Sequence, residues 1–406
     1  MAEKRQRDSL ETSSSSDLTS KIRKAEPVSF DEVKAIIIRN DSEKLRQITE
    51  QGLLDINDEG NSVLRCICVA GRVKMLSYLI EHGISTDDDV IFDLLCDSRI
   101  ISNTDIATIL VNKISDVNRH SNWSFLHCAC SGGNEVIVQQ LLERAADNST
   151  IVDFDDPLVV ASERGFAGIV QLLLGWNKGE KMRSSRLEIA LSCASEAGFV
   201  DVIECLIAYG VDHESLNIAL YAAVRANQAE AAACLLDHGA DVNYTKGKNS
   251  TMIIMIYSLS SLIRLVPAGG DSLLRLAAFK LKILTMLLER GADPDTHFAD
   301  GCTLLFVVVD ANSHDLQTLS LLLKHHADPN LAHRDTGVTP LMIAAVENNR
   351  GYMRLLLEAG ADVTQVSHAG QDVFDWLDDR GRYHREVELC IQYVDINRPG
   401  AKLLLK

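Results

Sequence analysis

The chain has few aromatic residues, no excess of positive charge and no long apolar run. Aromatic residues make up 5% of the sequence whereas hydrophobic residues reach 46%, which indicates a core of small and aliphatic side chains. The formal net charge of −17 argues against direct binding along a nucleic-acid backbone, which requires clustered lysine and arginine. Such a charge serves solubility, and it also allows an acidic surface that attracts basic peptide segments.

Signals for secretion and for membrane insertion are also lacking. The N-terminal residues 1–8 are polar, and the most apolar stretch, Met252 to Leu265, is too short to span a bilayer and contains Arg264. We therefore expect an intracellular protein, cytoplasmic or nuclear, whose ten cysteines are reduced thiols.

Motifs for catalysis and metal binding are missing as well. The sequence contains no phosphate-binding loop ending in Gly-Lys-Ser/Thr, no Gly-x-Ser-x-Gly and no His-Glu-x-x-His. The cluster His127-Cys128-Ala129-Cys130 offers an imidazole and two thiols, but no Cys-x-x-Cys or spaced His pair completes a tetrahedral zinc site. We predict no enzymatic activity, no cofactor and no bound metal, and we interpret Cys68 and Cys130 as small core residues.

An internal repeat organises most of the chain. A three-residue step recurs along the chain: Asp, then an apolar residue, then Asn or a related polar residue. Four consecutive steps begin at Asp293, Asp328, Asp362 and Asp395, at intervals of 35, 34 and 33 residues. A period of about 33 residues indicates stacked supersecondary units, none of which can bury its apolar face alone. A solenoid of this kind usually provides a binding surface.

Each repeat contains signals for two helices. Ser29 with Glu32 three residues later forms a capping box at the start of the first repeat. In the next repeat a short helix opens near Gly60 and runs to Ala70, and Val73 to Glu81 forms a second helix with one apolar face.

The clearest repeat contains Thr339-Pro340-Leu341, a leucine-rich second helix, and Gly360-Ala361-Asp362. These residues resemble the ankyrin repeat family, whose unit is a hairpin turn followed by two antiparallel helices. The resemblance extends from Ser29 to about Arg398. It implies an all-α ankyrin-repeat solenoid of about eleven helix-turn-helix units joined by short hairpin turns.

Segments at both ends of the chain lie outside the repeats. Residues 1–28 are predicted to be a disordered basic and serine-rich tail, residues 29–398 the solenoid, and residues 399–406 a C-terminal tail. Two clusters in the first tail, Lys4-Arg5-Gln6-Arg7 and Lys21-Ile22-Arg23-Lys24, loosely match a bipartite nuclear import signal.

The solenoid itself departs from the pattern in two places. The region from Asp87 to Lys113 keeps apolar helical segments but has no Thr-Pro-Leu step. A gap of 52 residues separates Asp241 from Asp293, and the excess indicates an apolar insert at about 258–272, in a loop between two helices. The insert either extends a helix pair and packs within it, or provides a surface that binds a partner.

The resemblance also implies where a partner protein would bind, namely on the concave face of the first helices and at the tips of the hairpin turns. Carboxylates in those turns would favour Lys- or Arg-rich segments, chiefly through association rate and specificity. The candidate contact residues are Asp58, Glu59, Asp87, Asp88, Asp153, Asp155, Asp156, Tyr244, His297, Asp300 and Asp335.

A modification is implied by the same resemblance. In this family an asparagine that follows Asp-Val in the hairpin can be hydroxylated, with a leucine eight residues earlier. Asn118 and Asn243 fit that pattern, with Leu110 and Leu235 as the leucines. The alternative is that both asparagines serve only to hydrogen-bond the turn.

The sequence as a whole predicts a non-enzymatic scaffold or adaptor that recognises another protein. An alternative is a regulatory subunit, either the substrate receptor of a ubiquitin ligase or an inhibitor that masks a basic signal on its partner. Residues 372–397 resemble a terminal ankyrin unit and show no dedicated ligase-docking box. An enzyme with an undetected site is the third possibility.

Overall fold

The computed structural model describes residues 28–54, 60–118, 124–144, 156–176, 183–245, 272–311, 315–378 and 390. The chain divides into two compact units, residues 1–150 and 151–406. Nearly all of the predicted tail 1–28 and the insert, and the whole of the tail 399–406, lie outside the described residues. So do the candidate contact residues Asp58, Glu59, Asp153 and Asp155.

Every regular element in the described ranges is a helix. Unit 1 contains α1 Phe30–Arg39, α2 Ser42–Glu50, α3 Gly60–Val69, α4 Val73–Glu81, α5 Asp88–Leu95, α6 Ser98–Ile101, α7 Thr104–Val111, α8 Phe125–Gly132 and α9 Glu135–Glu143. Unit 2 contains α10 Pro157–Glu163, α11 Ala167–Gly175, α12 Ser184–Ala197, α13 Val200–Tyr209, α14 His213–Arg225, α15 Ala229–Asp237, α16 Leu273–Ala277, α17 Leu281–Glu289, α18 Leu304–Asp310, α19 Leu316–Lys324, α20 Pro340–Val346, α21 Arg350–Glu358 and α22 Val373–Asp378.

These helices alternate between two layers within each unit. In unit 1 the first helices of successive repeats, α1, α3, α5 and α8, pack against one another, and the second helices α2, α4, α7 and α9 do the same. In unit 2 the second helices α11 to α21 likewise form a continuous row, and α10, α12 and α14 among the first helices pack side by side. The predicted all-α helical repeat solenoid is confirmed, whereas the count of about eleven repeats stays a prediction.

Short side chains and proline determine where the first helices begin. The Thr339 hydroxyl accepts a hydrogen bond from the Met342 N–H at 3.2 Å, and Pro340 occupies the first helical position, where its missing N–H costs nothing. Ser124 and Thr303 cap α8 and α18 in the same way. The Thr-Pro-Leu step therefore marks the start of the first helix α20, and a Ser or Thr at the same position marks the start of α8 and α18.

Large aliphatic side chains fill the space between the layers. In α21 the side chains of Tyr352 and Leu356 are fully buried, one helical turn apart. Between α10 and α11 the chain reverses at Gly165, which has φ +78° and lies so close to the Phe199 ring that an added Cβ would come within 2.6 Å of it. Glycine is required there both by the backbone conformation and by the space available.

The two departures from the repeat have definite structural forms. The region 87–113 contains an extra short helix, α6, inserted between the first helix α5 and the second helix α7. At the apolar insert, Thr245 and Ser272 pair in an isolated antiparallel bridge, which brings together the two described residues that flank positions 246–271. Ser272 is the N-cap of α16, with its hydroxyl accepting from the Arg275 N–H at 3.3 Å, and therefore belongs to the repeat itself.

Candidate protein-binding surface

The recurring Asp and Asn residues form a ladder of hydrogen bonds along the turns of unit 2. Within one turn, the Asn243 N–H donates to Asp241 Oδ1 at 2.9 Å, and the Asn330 N–H donates to Asp328 Oδ1 at 2.9 Å. Between turns, the Asp362 N–H donates to Asn330 Oδ1 at 2.7 Å. We call this arrangement the Asx ladder. The Asp-x-Asn steps therefore satisfy backbone groups of their own turn and of the next repeat.

The ladder continues on both sides of the apolar insert. Asn217 Oδ1 accepts from the Asp241 N–H at 2.7 Å, and Asn243 Oδ1 accepts from the Asp293 N–H at 3.3 Å. The amide of Asn243 is thus engaged although the residue is exposed. Asn118 is also exposed, and its N–H donates to Asp116 Oδ1 at 2.9 Å. Hydroxylation of Asn118 and Asn243 stays a prediction, whereas the side chain of Asn243 has a structural role in the ladder.

Asp88 has a different location from the one expected of a contact residue. Its side chain is 2% exposed and accepts three hydrogen bonds from the turn after α7: from the Ser115 N–H at 2.8 Å, the Ser115 hydroxyl at 2.5 Å and the Asp116 N–H at 3.0 Å. This carboxylate joins two successive repeats internally. The neighbouring Asp87 is exposed and caps α5 by accepting from the Val90 N–H at 2.9 Å.

Asp156 is likewise internal, with 1% of its surface exposed. It caps α10 by accepting from the Leu158 N–H at 2.8 Å, and both of its oxygens accept from the guanidinium of Arg186 on α12, one of them at 2.8 Å. Such a bidentate pair is the strong form of an arginine–carboxylate interaction. Asp156 therefore ties α10 to α12 and is not available to a partner.

The remaining candidates lie at or near the surface. The Tyr244 hydroxyl donates to Glu214 on α14 at 2.9 Å, and the half-buried His297 ring lies 3.5 Å from the Ala332 carbonyl. Asp300 and Asp335 are exposed. Although partial burial opposes it, the hydrogen bond from Arg275 lowers the pKa of Asp300, so this carboxyl is ionised at neutral pH. These four residues lie in three turns of unit 2, with His297 and Asp300 in the same one, and whether they bind a partner stays a prediction.

A charge imbalance on the first helices of unit 2 was not predicted from the sequence. The helices α10, α12, α14, α16, α18, α20 and α22 carry seven carboxylates, three arginines and no lysine. All three arginines have a carboxylate partner: Arg186 pairs with Asp156, Arg225 with Glu196 at 2.9 Å, and Arg275 with Asp300. The positive charge of this layer is therefore already neutralised within the unit.

Two of these carboxylates lie at the C-terminal ends of their helices. Glu163 at the end of α10 and Asp310 at the end of α18 are exposed, and neither forms an ion pair with any described residue. Burial raises the pKa of the Cys193 thiol on α12, and Glu163 at the end of α10 and Glu196 on α12 itself raise it further. The layer thus presents uncompensated negative charge to solvent.

Features of other kinds of site are limited. In the described ranges, no three His, Cys, Asp or Glu side chains are grouped as they would be around a metal ion, and no helix has the length and hydropathy needed to cross a membrane. None of the ten cysteines is in a disulfide, and Cys68 and Cys130 are buried. Burial raises the pKa of Cys68 to about 12, against the opposing effect of Arg65, as expected for a thiol in a core position.

The family described as "Ankyrin repeats (3 copies)" matches residues 99–185, 158–246 and 273–367, together more than half of the chain. The chain belongs to the ankyrin repeat family. Ankyrin repeats bind other proteins, and the family is typically non-enzymatic. The predicted family is confirmed, and with it the coarse function of a protein-interaction module.

The chain is similar to parts of several other proteins, two of which are named for ankyrin repeats. It is 25% identical over 315 residues to "E3 ubiquitin-protein ligase KEG" of Arabidopsis thaliana, covering 68% of this chain and 19% of that protein. It is 31% identical over 129 residues to "Ankyrin repeat and SOCS box protein 11" of Danio rerio, covering 31% and 44%, respectively. With "Ankyrin repeat and SOCS box protein 6" of Homo sapiens it shares 26% identity over 249 residues, 51% of this chain and 59% of that protein. The chain therefore spans less than two thirds of each relative.

Proposed function

We propose that the chain is a non-enzymatic adaptor that recognises a basic segment of a partner protein through the first helices and adjoining turns of unit 2. The observation that supports this most is the pairing of all three arginines on the first helices with carboxylates, which leaves Glu163 and Asp310 exposed and uncompensated. A lysine- or arginine-rich segment would supply the missing positive charge. Complementarity of this kind governs association rate and specificity more than affinity.

The test compares two charge-neutralised variants in affinity capture from cell extract, quantified by mass spectrometry. One variant carries Glu163→Gln and Asp310→Asn on the first helices. The matched control carries Asp201→Asn and Glu204→Gln, two exposed carboxylates on the second helix α13. We expect a partner that both the unmodified chain and the control retain, that the first variant loses, and whose binding weakens as salt is raised.

Other results would move or remove the proposed surface. A partner retained by both variants would place the contact elsewhere, for example in the groove of about 430 Å³ between α17 and α19, which the half-exposed Leu281 and Leu316 line. A partner whose capture is unaffected by salt would exclude a contact made by charge. No reproducible partner would reject the adaptor proposal and justify a screen for enzymatic turnover.

A second candidate function is substrate recognition for a ubiquitin ligase. It is favoured by the similarity of most of this chain to part of a protein named as an E3 ubiquitin-protein ligase. The same capture experiment tests it, because ligase components would then be recovered together with the partner. Recovery of the partner without ligase components would favour an adaptor, or an inhibitor that masks the basic segment.

A further inference from the structure

Two cysteines from successive repeats of unit 1 meet at their sulfur atoms. The Sγ atoms of Cys96 and Cys128 are 3.2 Å apart. Cys96 is the C-cap of α5 and is exposed, whereas Cys128 lies within α8 and is 5% exposed. One thiol is therefore open to solvent and its partner is enclosed behind it.

The contact is held by the packing of the helices that carry it. The rings of Phe92 on α5 and Phe125 on α8 meet edge to face, with centroids 5.5 Å apart and an interplanar angle of 79°. Each ring precedes its cysteine by about one helical turn, and the Cys96 N–H donates to the Phe92 carbonyl at 3.0 Å. The aromatic pair thus fixes the position of α5 against α8 directly beside the two thiols.

Charges around the pair distinguish the two thiols. Arg65 donates to the Asp93 carbonyl at 3.1 Å and lies 3.4 Å from the Asp97 carboxylate, so its guanidinium flanks the turn that carries Cys96. The hydrogen bond from Cys128 lowers the pKa of Cys96 and Arg65 adds to this, while burial and Asp93 oppose it. The pKa of Cys128 is raised by the same hydrogen bond, by burial and by Cys130. The exposed Cys96 is therefore the more nucleophilic of the two.

We propose that Cys96 and Cys128 form a dithiol site that a peroxide oxidises to a disulfide joining α5 to α8. The Cys96 thiolate attacks one peroxide oxygen, the O–O bond breaks, and hydroxide leaves and takes up a proton as water. The sulfenic acid on Cys96 is then attacked by the Cys128 sulfur, the S–O bond breaks, and a second water leaves with the Cys128 proton. The two thiols lose two electrons and two protons in all, and the peroxide is reduced to water.

This site does not depend on the proposed partner surface, which lies on unit 2. Its consequence is a covalent bond between two first helices that pack against each other through the Phe92–Phe125 ring pair and the thiol contact. The other described helices of unit 1 need not change for the bond to form, because the sulfur atoms are already in contact. The disulfide would be reversible by small dithiols.

The test uses the full chain, reduced, freed of reductant and treated with a small excess of hydrogen peroxide. The reaction is stopped by alkylation, and the peptides are mapped by mass spectrometry. We expect a cross-linked peptide pair containing Cys96 and Cys128 to appear before any other cysteine loses its alkylation, and to disappear after treatment with dithiothreitol. Oxidation of Cys96 to sulfinic acid while Cys128 is still alkylated would overturn the proposal, since it would show that Cys128 does not resolve the sulfenic acid.

Variants separate the two roles. Cys128→Ser should abolish the cross-link and leave a sulfenic acid on Cys96 that a dimedone probe labels, whereas Cys96→Ser should abolish both the cross-link and the label. Cys302→Ser is the matched control, because Cys302 is also partly exposed but lies in unit 2, and it should leave the cross-link unchanged. Equal dimedone labelling of Cys302 and Cys96 in the folded chain would show that the Cys96 environment has no special reactivity.

Discussion

Adjacent carboxylates in one turn of this chain have opposite environments, as Asp87 and Asp88 show. Asp87 is exposed and accepts one hydrogen bond from its own helix, whereas Asp88 is buried and accepts three from the next repeat. Both residues were predicted to contact a partner, because the resemblance to ankyrin repeats implies binding at the tips of the turns in which they were expected to lie. The turn after α7, 27 residues further on, determines which of the two is enclosed.

The difference leads to a prediction for two matched substitutions. Asp88→Asn places its amide NH₂ against the N–H of either Ser115 or Asp116, whichever of the two carboxylate oxygens it replaces, and should reduce the free energy of unfolding by about 2 kcal/mol. Asp87→Asn keeps an equally good helix cap and should change it by less than about 0.5 kcal/mol. Urea unfolding followed by circular dichroism measures both. Equal effects of the two substitutions would contradict the assigned roles.

Asp295 occupies a position of the Asx ladder that asparagine fills in Asn243 and Asn330. Its Oδ1 accepts from the Asp328 N–H at 2.9 Å, the same bond that Asn330 makes to Asp362. Burial, the largest effect, raises the pKa of Asp295, and the Asp293 and Asp328 carboxylates raise it further, while the Asp328 N–H and His297 oppose them. The ionised carboxyl is therefore less favourable here than an amide would be.

We expect Asp295→Asn to stabilise the protein at neutral pH by about 0.5 kcal/mol, a small gain because the side chain is largely screened by solvent. Since the pKa is higher in the folded than in the unfolded chain, the cost of ionisation is complete above the folded pKa. This cost vanishes at pH values below the pKa of Asp295 in the unfolded chain. The gain from Asp295→Asn should therefore disappear as the pH falls from the folded pKa to the unfolded pKa. Thermal unfolding at several pH values measures it, with Asp335→Asn as a control. Destabilisation at neutral pH would show that the carboxylate is the preferred ladder group.

At the scale of single elements, the pairing of helices in unit 2 depends on a few charged ties between first helices. Arg186 on α12 holds the Asp156 cap of α10, and Arg225 on α14 holds Glu196 on α12. The first of these is almost fully enclosed and the second is half-exposed. A buried pair adds little net stability over apolar residues, but breaking it leaves an uncompensated charge.

Arg186→Met should therefore lower the free energy of unfolding by about 3 kcal/mol, because the Asp156 carboxylate stays buried without its partner. Adding Asp156→Asn should recover part of this loss, since asparagine still caps α10 and carries no charge. The comparison of the two single variants with the double variant isolates the interaction. A double variant as unstable as the sum of the single ones would mean that the two residues do not interact energetically.

The helices themselves were largely predictable, and the ties between them were not. The apolar periodicity predicted the bounds of α4, Val73–Glu81. The capping signal at Ser29 predicted the start of α1. The extra helix α6 was missed because four residues are too few to show a period. Arg186 and Ser115 were missed because their partners lie 30 and 27 residues away. A search for complementary polar residues one repeat ahead would have found both.

For the molecule as a whole, the arrangement of contacts sets how the chain unfolds. Within unit 2, each pair of helices packs against the pairs next to it along the chain. Among the described helices, α10 and α12 do not pack against α20 or α21. In an array of this type stability is close to a sum of local terms and nearest-neighbour terms. A local defect should therefore remain local to a far greater extent than in a globular domain.

Hydrogen exchange measured by mass spectrometry on the Arg186→Met variant tests this expectation. The amides of α10 to α13 should lose protection, because opening those helices now costs about 3 kcal/mol less. The amides of α20 and α21 should exchange at rates close to those of the unmodified chain, since their own contacts with α18, α19 and α22 are intact. An equal loss of protection in both regions would mean that unit 2 opens only as a whole, and the nearest-neighbour description would then fail for this protein.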